Sequence, residues 1–241
     1  AVRELKQAWK GLPVTLVLKK DKQLSSEGFR IRQVNGKLTV TSPSETGLLY
    51  AAYPLIRLQE MRNFGKPSET DQEITENPAY DLRILNHWDN LDDTVERGYA
   101  GLSMWEWTAK EIPAKRIHHY GELCASVGLN GAVLNNVNAN PLILDKEHIE
   151  RVAQIANILR EYGITTYLSI KWTSPITLDG LKSGDPLDPK VRQWWKNKAS
   201  EIYAAIPDFG GFLVKANSEG QAGPQDYGRT HADGANMLAE A

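Results

Sequence analysis

The sequence predicts an α/β fold in which four successive strand–helix units build a parallel sheet, preceded by a small α+β region. Three observations carry this. Short β-branched runs alternate with stretches of helical period from residue 80 onward. Polar, proline-containing sequence at 63–79 separates that alternation from a region of different character. Four strand ends in the second part turn abruptly from apolar to Asn, Trp, Lys, Ser and Glu.

The first region reads as follows. Residues 13–19 (PVTLVLK) are apolar and β-branched, a strand. Residues 28–34 and 37–41 are two further strands joined around Asn35-Gly36, a strong hairpin signal. Residues 44–62 change to helical spacing, with Leu48, Leu49, Ala52, Leu55, Ile56 and Met61 on one pattern. Pro54 lies inside it and should kink the helix or mark a late start. Domains are expected at 1–78 and 79–241, with 63–79 as the linker.

Strands are expected at 82–88, 131–137, 165–172 and 211–216, and helices at 114–127, 146–162, 191–206 and 233–241. Asp145 can cap the start of the second helix and Gly163 its end. Strand–helix alternation of this kind buries a parallel sheet under helices. A doubly wound sheet fits it, and so does half of a (β/α)8 barrel.

The 241 residues carry Lys+Arg 28 against Asp+Glu 30, a formal charge of -2. That balance argues against a nucleic-acid partner. No apolar run approaches the roughly 18 residues of a membrane span. The single cysteine, Cys124, excludes an internal disulfide and a cysteine-built zinc site. It fits an intracellular or periplasmic location better than a disulfide-rich extracellular one. Neither terminus shows a leader, an initiator Met or a closing cap, so the chain is expected to be a fragment.

The strand ends read NHWDN (86–90), NNVNANP (135–141), KWTSP (171–175) and KANSEGQ (215–221). Barrel enzymes assemble their sites from such ends. Asn donates and accepts hydrogen bonds together, and Trp offers a flat apolar face, a combination suited to sugars. Trp88 and Trp172 stand at strand ends, whereas Trp105 and Trp107 lie in a long loop and serve equally well as its packing. Lys215, Asn217 and Glu219 alternate, which would aim them to one side if extended. A lysine there suits an anionic group, and a glutamate suits acid–base work, unless the two simply form an ion pair. His87 and Asp89 stand two apart, but no second cluster with metal spacing accompanies them. No GxGxxG, Walker or GxSxG motif occurs.

The strings ILNHWDNLDDTVERGYAG (84–101), GAVLNNVNANP (131–141), DPLDP (185–189), WWKNKASEIYAAIPDFGGFLVKANSEGQAGP (194–224) and YGRTHADGANMLA (227–239) resemble family 67 of the glycoside hydrolases, the xylan α-glucuronidases. The resemblance implies the first four βα units of a (β/α)8 TIM barrel preceded by a small α+β domain. It implies removal of glucuronic acid, or its 4-O-methyl ether, α-1,2-linked to the terminal xylose of xylo-oligosaccharides, with inversion and with no cofactor or metal. Glu219 stands where the family has its general acid, and Lys215 where a lysine meets the uronate carboxylate. Val137 stands in the pocket for the 4-O-methyl group, and Trp88 lines the sugar site. Asn136 and Lys171 are added from strand-end position alone.

The family's general base belongs to later strands, beyond residue 241. An inverting glycosidase needs acid and base about 6.5–9.5 Å apart. Asp89 and Asp185 are the tempting substitutes within the chain, and neither matches that base. The chain alone is therefore expected to be inactive. Its expected partners are glucuronoxylan-derived oligosaccharides and the remaining C-terminal part of the enzyme, with a homodimer of the full enzyme possible. Two rival readings are a non-catalytic uronic-acid-binding module and a barrel lyase or isomerase, the latter disfavoured because the polar Asn217 and Glu219 accompany Lys215 and do not suit a desolvated Schiff-base lysine.

Overall fold

A computed structural model describes residues 1–61, 65–66, 71–215, 217 and 220–241, with residues 60 and 61 as backbone only. The chain has a mixed α/β fold and divides into two compact units, residues 1–83 with 122–130 and residues 84–121 with 131–241.

The first unit contains α1 (Val2–Ala8), β1 (Val14–Leu18), β2 (Phe29–Val34), β3 (Lys37–Ser42), α2 (Glu45–Met61) and β4 (Gln72–Glu76). Its sheet has the order β1-β3-β2-β4, with β1 parallel to β3 and the other pairs antiparallel. The β2–β3 turn places Asn35 at φ 49° and Gly36 at φ 70°. Two successive positive φ values are what a type I′ turn requires, which is why Asn-Gly signals it. Ile31, Leu38 and Val40 are fully buried, as are Ala51, Ala52 and Leu55 of α2. That apolar layer holds helix to sheet. The helix runs on through Pro54, at the cost of one backbone hydrogen bond. Within the expected linker, β4 pairs with β2 from Phe29↔Glu76 to Gln33↔Gln72. Its short alternating run QEITE was hidden by the polar residues around it; residues 63, 64 and 67–70 lie outside the described residues.

The second unit carries β5 (Ile84–Asn86), α3 (Ala114–Ser126), β6 (Gly131–Val133), α4 (Lys146–Arg160), β7 (Thr165–Ile170), α5 (Ser174–Asp179), α6 (Pro189–Ala205), β8 (Gly211–Val214) and α7 (His231–Glu240); the end of α3 groups with the first unit. The sheet order is β5-β6-β7-β8, parallel throughout. Sequence order equals spatial order, as successive βα units produce.

Helix α4 buries Ile149, Val152, Ile155, Ala156 and Leu159, one stripe of helical period. Asp145 caps it by accepting from the His148 backbone N–H at 2.8 Å. Helix α6 buries Val191, Trp195, Ala199 and Ile202 and starts with Asp188 as cap and Pro189 in the first turn. Thr230 and Asp233 cap α7 reciprocally, at 3.1 and 2.8 Å. No helix among the described residues is long and apolar enough to cross a membrane.

Gly121 in α3 has a packing reason. A Cβ there would meet the Tyr162 ring at 2.3 Å, and the Tyr162 hydroxyl is held at 3.0 Å by His118 Nδ1. Alanine normally gains about 1 kcal/mol over glycine inside a helix. Overpacking here reverses the sign, so Gly121→Ala should lose about 1–3 kcal/mol. Thermal unfolding checks this; an unchanged or raised Tm would show that Tyr162 can yield.

Candidate functional site

Strand β6 ends at Val133, level with Tyr167 of β7, while β7 and β8 end level with each other at Ile170 and Val214. The register pairs Ile170 with Val214, which brings Lys171 and Lys215 to neighbouring positions past the strand ends. Adjacent strands lie only about 4.8 Å apart. Both lysines are half-buried. Burial holds the Lys171 ammonium below the ordinary lysine range, and the positive charge of Lys215 lowers it further. No ion pair of Lys171 occurs among the described residues. Two cations in partial burial favour a negatively charged ligand over them.

Asn138 reaches this pair from the end of β6. Its Oδ1 accepts from Lys215 Nζ at 2.6 Å. Its own backbone N–H donates to Asn136 Oδ1 at 2.9 Å. Asn136 is buried, and its Nδ2 donates to Asn90 Oδ1 at 2.9 Å and the Glu96 carbonyl at 3.2 Å. The expected site residue Asn136 is thus one layer behind the lysines, with Asn138 in front of it. Sequence reasoning passed over Asn138; the spacing of two between the asparagines was the available signal. Val137, between them, is half-buried.

The loop from β5 to α3 is long for a βα connection. Buried Asp89 accepts from Ser103 Oγ at 2.6 Å and from the Met104 N–H at 3.2 Å. Asp93 accepts from the Trp107 and Thr108 backbone and the Thr108 hydroxyl. Arg151 of α4 donates to the carbonyls of Glu106, Ala109 and Glu111. Trp105 and Trp107 are buried as packing of this loop. Trp88, at its start, is 38% exposed. Trp172, the other strand-end tryptophan, is buried close to Gly234 and Pro224, and its indole N–H meets no acceptor among the described residues.

Strand β8 ends at Val214, and of the alternation expected over 215–219, residues 216, 218 and 219 lie outside the described residues. Asn217 is exposed, with its amide 3.4 Å from Asp226 Oδ2. Glu219 lies outside the described residues. Asp185 is gripped by Arg229 through contacts of 2.8 and 2.9 Å, and that guanidinium holds its carboxyl below its ordinary value. Asp89 and Asp185 are therefore both committed to fastening loops. Among the described residues no group of three His, Cys, Asp or Glu side chains could hold a metal ion.

Residues 64–241 match the glycosyl hydrolase family 67 middle domain. The chain belongs to glycosyl hydrolase family 67. It is 42% identical over 221 residues to a probable α-glucuronidase A of Aspergillus clavatus, covering 91% of this chain and 26% of that protein. It is 40% identical over 225 residues to α-glucuronidase A of Emericella nidulans, again covering 91% and 26%. The chain thus spans about a quarter of the length of these relatives. Among solved structures, a β-N-acetylhexosaminidase from Bacteroides fragilis aligns at TM-score 0.57 and 14% identity, over 94% of this chain and 52% of that one. A GH138 enzyme targeting pectin rhamnogalacturonan II aligns at TM-score 0.56 and 16% identity, over 88% and 28%. At such identities the likeness is one of fold.

His87 supports the floor beside Trp88. Its Nε2 lies 2.7 Å from the Tyr120 hydroxyl and its Nδ1 3.7 Å from Asp89 Oδ2, with Trp105 edge-on at 5.2 Å. Burial keeps its pKa below the ordinary value, and the Asp89 charge opposes this less strongly. The neutral ring can accept from the tyrosine hydroxyl at Nε2; protonation would reverse that bond, and it is burial that disfavours the charged ring. An unfolded histidine takes its proton near pH 6.5, at about the model-peptide value. The stability owed to this group is complete above that pH and is lost as pH falls toward the lower native pKa. His87→Gln should therefore flatten the acid side of a plot of Tm against pH; an unchanged acid limb would place the loss elsewhere.

Proposed function

We propose that this chain is part of an α-glucuronidase that removes glucuronic acid, or its 4-O-methyl ether, α-1,2-linked to the terminal xylose of xylo-oligosaccharides. The observation that carries the reading is the Lys171–Lys215 pair at the C-terminal edge of a parallel sheet, in a family 67 chain whose relatives are named α-glucuronidases. A uronic acid differs from a neutral sugar by one carboxylate, and two half-buried ammonium groups recognise that difference through charge-assisted hydrogen bonds.

In this reading the four βα units are the first half of a (β/α)8 barrel, in line with their parallel order β5-β6-β7-β8. The small α+β domain at 1–78 precedes it. Lys215, with Lys171, holds the uronate carboxylate. The exposed Trp88 ring stacks on the sugar, Val137 meets the 4-O-methyl group, and Asn136 braces the pocket from behind. Glu219 donates its proton to the glycosidic oxygen as the bond to the anomeric carbon breaks. A water attacks the opposite face and gives its proton to a carboxylate acting as base, which inverts the centre. Asp89 and Asp185 are held by other partners, which supports a base supplied by polypeptide outside these 241 residues. The chain by itself is then inactive.

Glu219→Gln in the full-length protein should lower kcat on aldobiouronic acid by about 10²–10⁴-fold while substrate still binds. Retained full activity would remove Glu219 from the acid role. Full-length protein that binds glucuronate but never hydrolyses the aldobiouronic acid would favour a binding module instead. Glucuronate affinity should also fall as pH rises, because the anion needs Lys171 charged, and this loss should begin below the ordinary lysine pKa of about 10.4. Lys171→Arg keeps its charge and should move the loss to higher pH in a titration of binding against pH.

A further inference from the structure

We propose that Tyr99 is a specificity-determining residue: its exposed ring, held out on a fixed hairpin beside Trp88, binds the xylose chain beyond the sugar that carries the uronic acid. This rests on the α-glucuronidase reading given above.

The loop after β5 folds back on the strand end as a small hairpin. Asp89 pairs with Val95, and Thr94 with Leu102, each as an isolated antiparallel bridge. The Glu96 N–H donates to the Trp88 carbonyl at 2.8 Å. The Glu96 carbonyl accepts from Asn90 Nδ2 at 2.9 Å and from Asn136 Nδ2 at 3.2 Å. Asn136 follows β6, the neighbour of β5, so the base of the hairpin is tied to two adjacent strand ends. The Ser103 N–H closes the far side on the Asp93 carbonyl at 2.8 Å. Asp93 and Glu96, at φ 66° and 59°, take the left-handed conformation that residues with a side chain rarely adopt. Backbone held in this way gathers at ligand sites.

Beyond that base the tip is bare. Residues 97–102 are all exposed. Tyr99 is 76% and Leu102 85% exposed, whereas the same loop buries Trp105 and Trp107. A Cβ at Gly98 or Gly101 would meet no atom within 4 Å, so the tip stands clear of the packing around it. An exposed ring on a fixed base is what a binding platform requires, because little freedom is left to lose when the ligand arrives. Tyr99 is three residues from Glu96, a reach of at most about 10 Å. The ring is therefore within a short oligosaccharide's length of Trp88. Xylose carries no hydroxymethyl arm, and its C–H faces are flat enough to stack on an aromatic ring, whose hydroxyl can also bond to those of the sugar. The chain is neutral, unlike the uronic acid, so it calls for such a face and not for a cation.

The test uses the full-length protein and compares aldobiouronic acid, which carries a single xylose, with aldopentaouronic acid, whose xylose chain is longer. Wild type should show the lower KM on the longer substrate. Tyr99→Ala should raise KM on aldopentaouronic acid about fivefold to tenfold and leave it within about twofold on aldobiouronic acid, with kcat little changed, the pattern of lost uniform binding. Its Tm should stay at the wild-type value, because the ring is exposed. Tyr99→Phe keeps the ring and should keep most of the preference. Equal KM losses on both substrates, a Tyr99→Phe variant as poor as Tyr99→Ala, or a wild type without preference for the longer substrate would overturn the proposal. So would a fall in Tm with loss of kcat on both substrates, which would make the tip a packing surface for polypeptide beyond residue 241. Wild type that hydrolyses neither substrate would instead overturn the α-glucuronidase reading, and this proposal with it.

Discussion

The placement of the candidate site depends on one side chain standing in for a strand. Strand β6 leaves the sheet at Val133, while β7 continues to Ile170. That would strand the buried backbone of Ser169 on the β6 side. Asn135 fills the gap: its Nδ2 donates to the Ser169 carbonyl at 3.0 Å, and its Oδ1 accepts from the Ser169 N–H at 2.8 Å. Ser169 Oγ returns a bond to the Asn135 carbonyl at 3.0 Å. A side-chain amide carries the same donor and acceptor as a peptide unit, so the ladder closes without the backbone. The main chain is then free to turn at residue 136 and deliver Asn136, Val137 and Asn138 across the strand ends. A residue without both functions at 135 would leave buried polar groups unmatched, at about 1–3 kcal/mol each.

Most of the scaffold was legible because it rests on local rules. The β2–β3 hairpin follows from Asn35-Gly36, and α4 from its apolar stripe and its Asp145 cap. The four parallel strands fall where β-branched runs precede helical period. Strand ends were read too long, as with 131–137 against Gly131–Val133, because Asn135 extends the ladder by its side chain rather than its backbone. Three elements escaped. Helix α1 is a single short amphipathic piece that leans on burial of Leu5, and α5 is a six-residue helix with a proline in its first turn. Strand β4 is an edge strand whose polar residues face outward. In each, tertiary contact rather than local preference decides the structure.

The site was legible by location more than by role. Strand-end position alone named Lys171, and the register brings it next to Lys215. The same rule named Trp172, which proved to be core. Position in a strand does not reveal what the next helix covers, and here Gly234 of α7 comes close enough that a Cβ would meet the Trp172 ring at 2.5 Å. Similarly, NNVNANP shows four asparagines but not which amide faces which neighbour. Asn135 closes a sheet, Asn136 ties a loop, Asn138 holds a lysine and Asn140 caps a 3-10 turn through the Leu142 N–H. One residue type does four jobs because the amide pairs with backbone, side chain or cation alike.

Placing two lysines side by side is unfavourable to the free protein. Burial and mutual repulsion both disfavour the charged state of Lys171, and nothing in the described structure relieves it with an anion of the chain's own. The rest of the unit must supply the stability that tolerates this. It does so away from the strand ends, in the apolar packing of Trp195, Ile202, Leu159 and Ile155 beneath the sheet and in the carboxylate-held loop that carries Trp88. In the reading proposed above, a ligand carboxylate offsets the lowered charge stability of Lys171, which favours an acidic sugar over a neutral one.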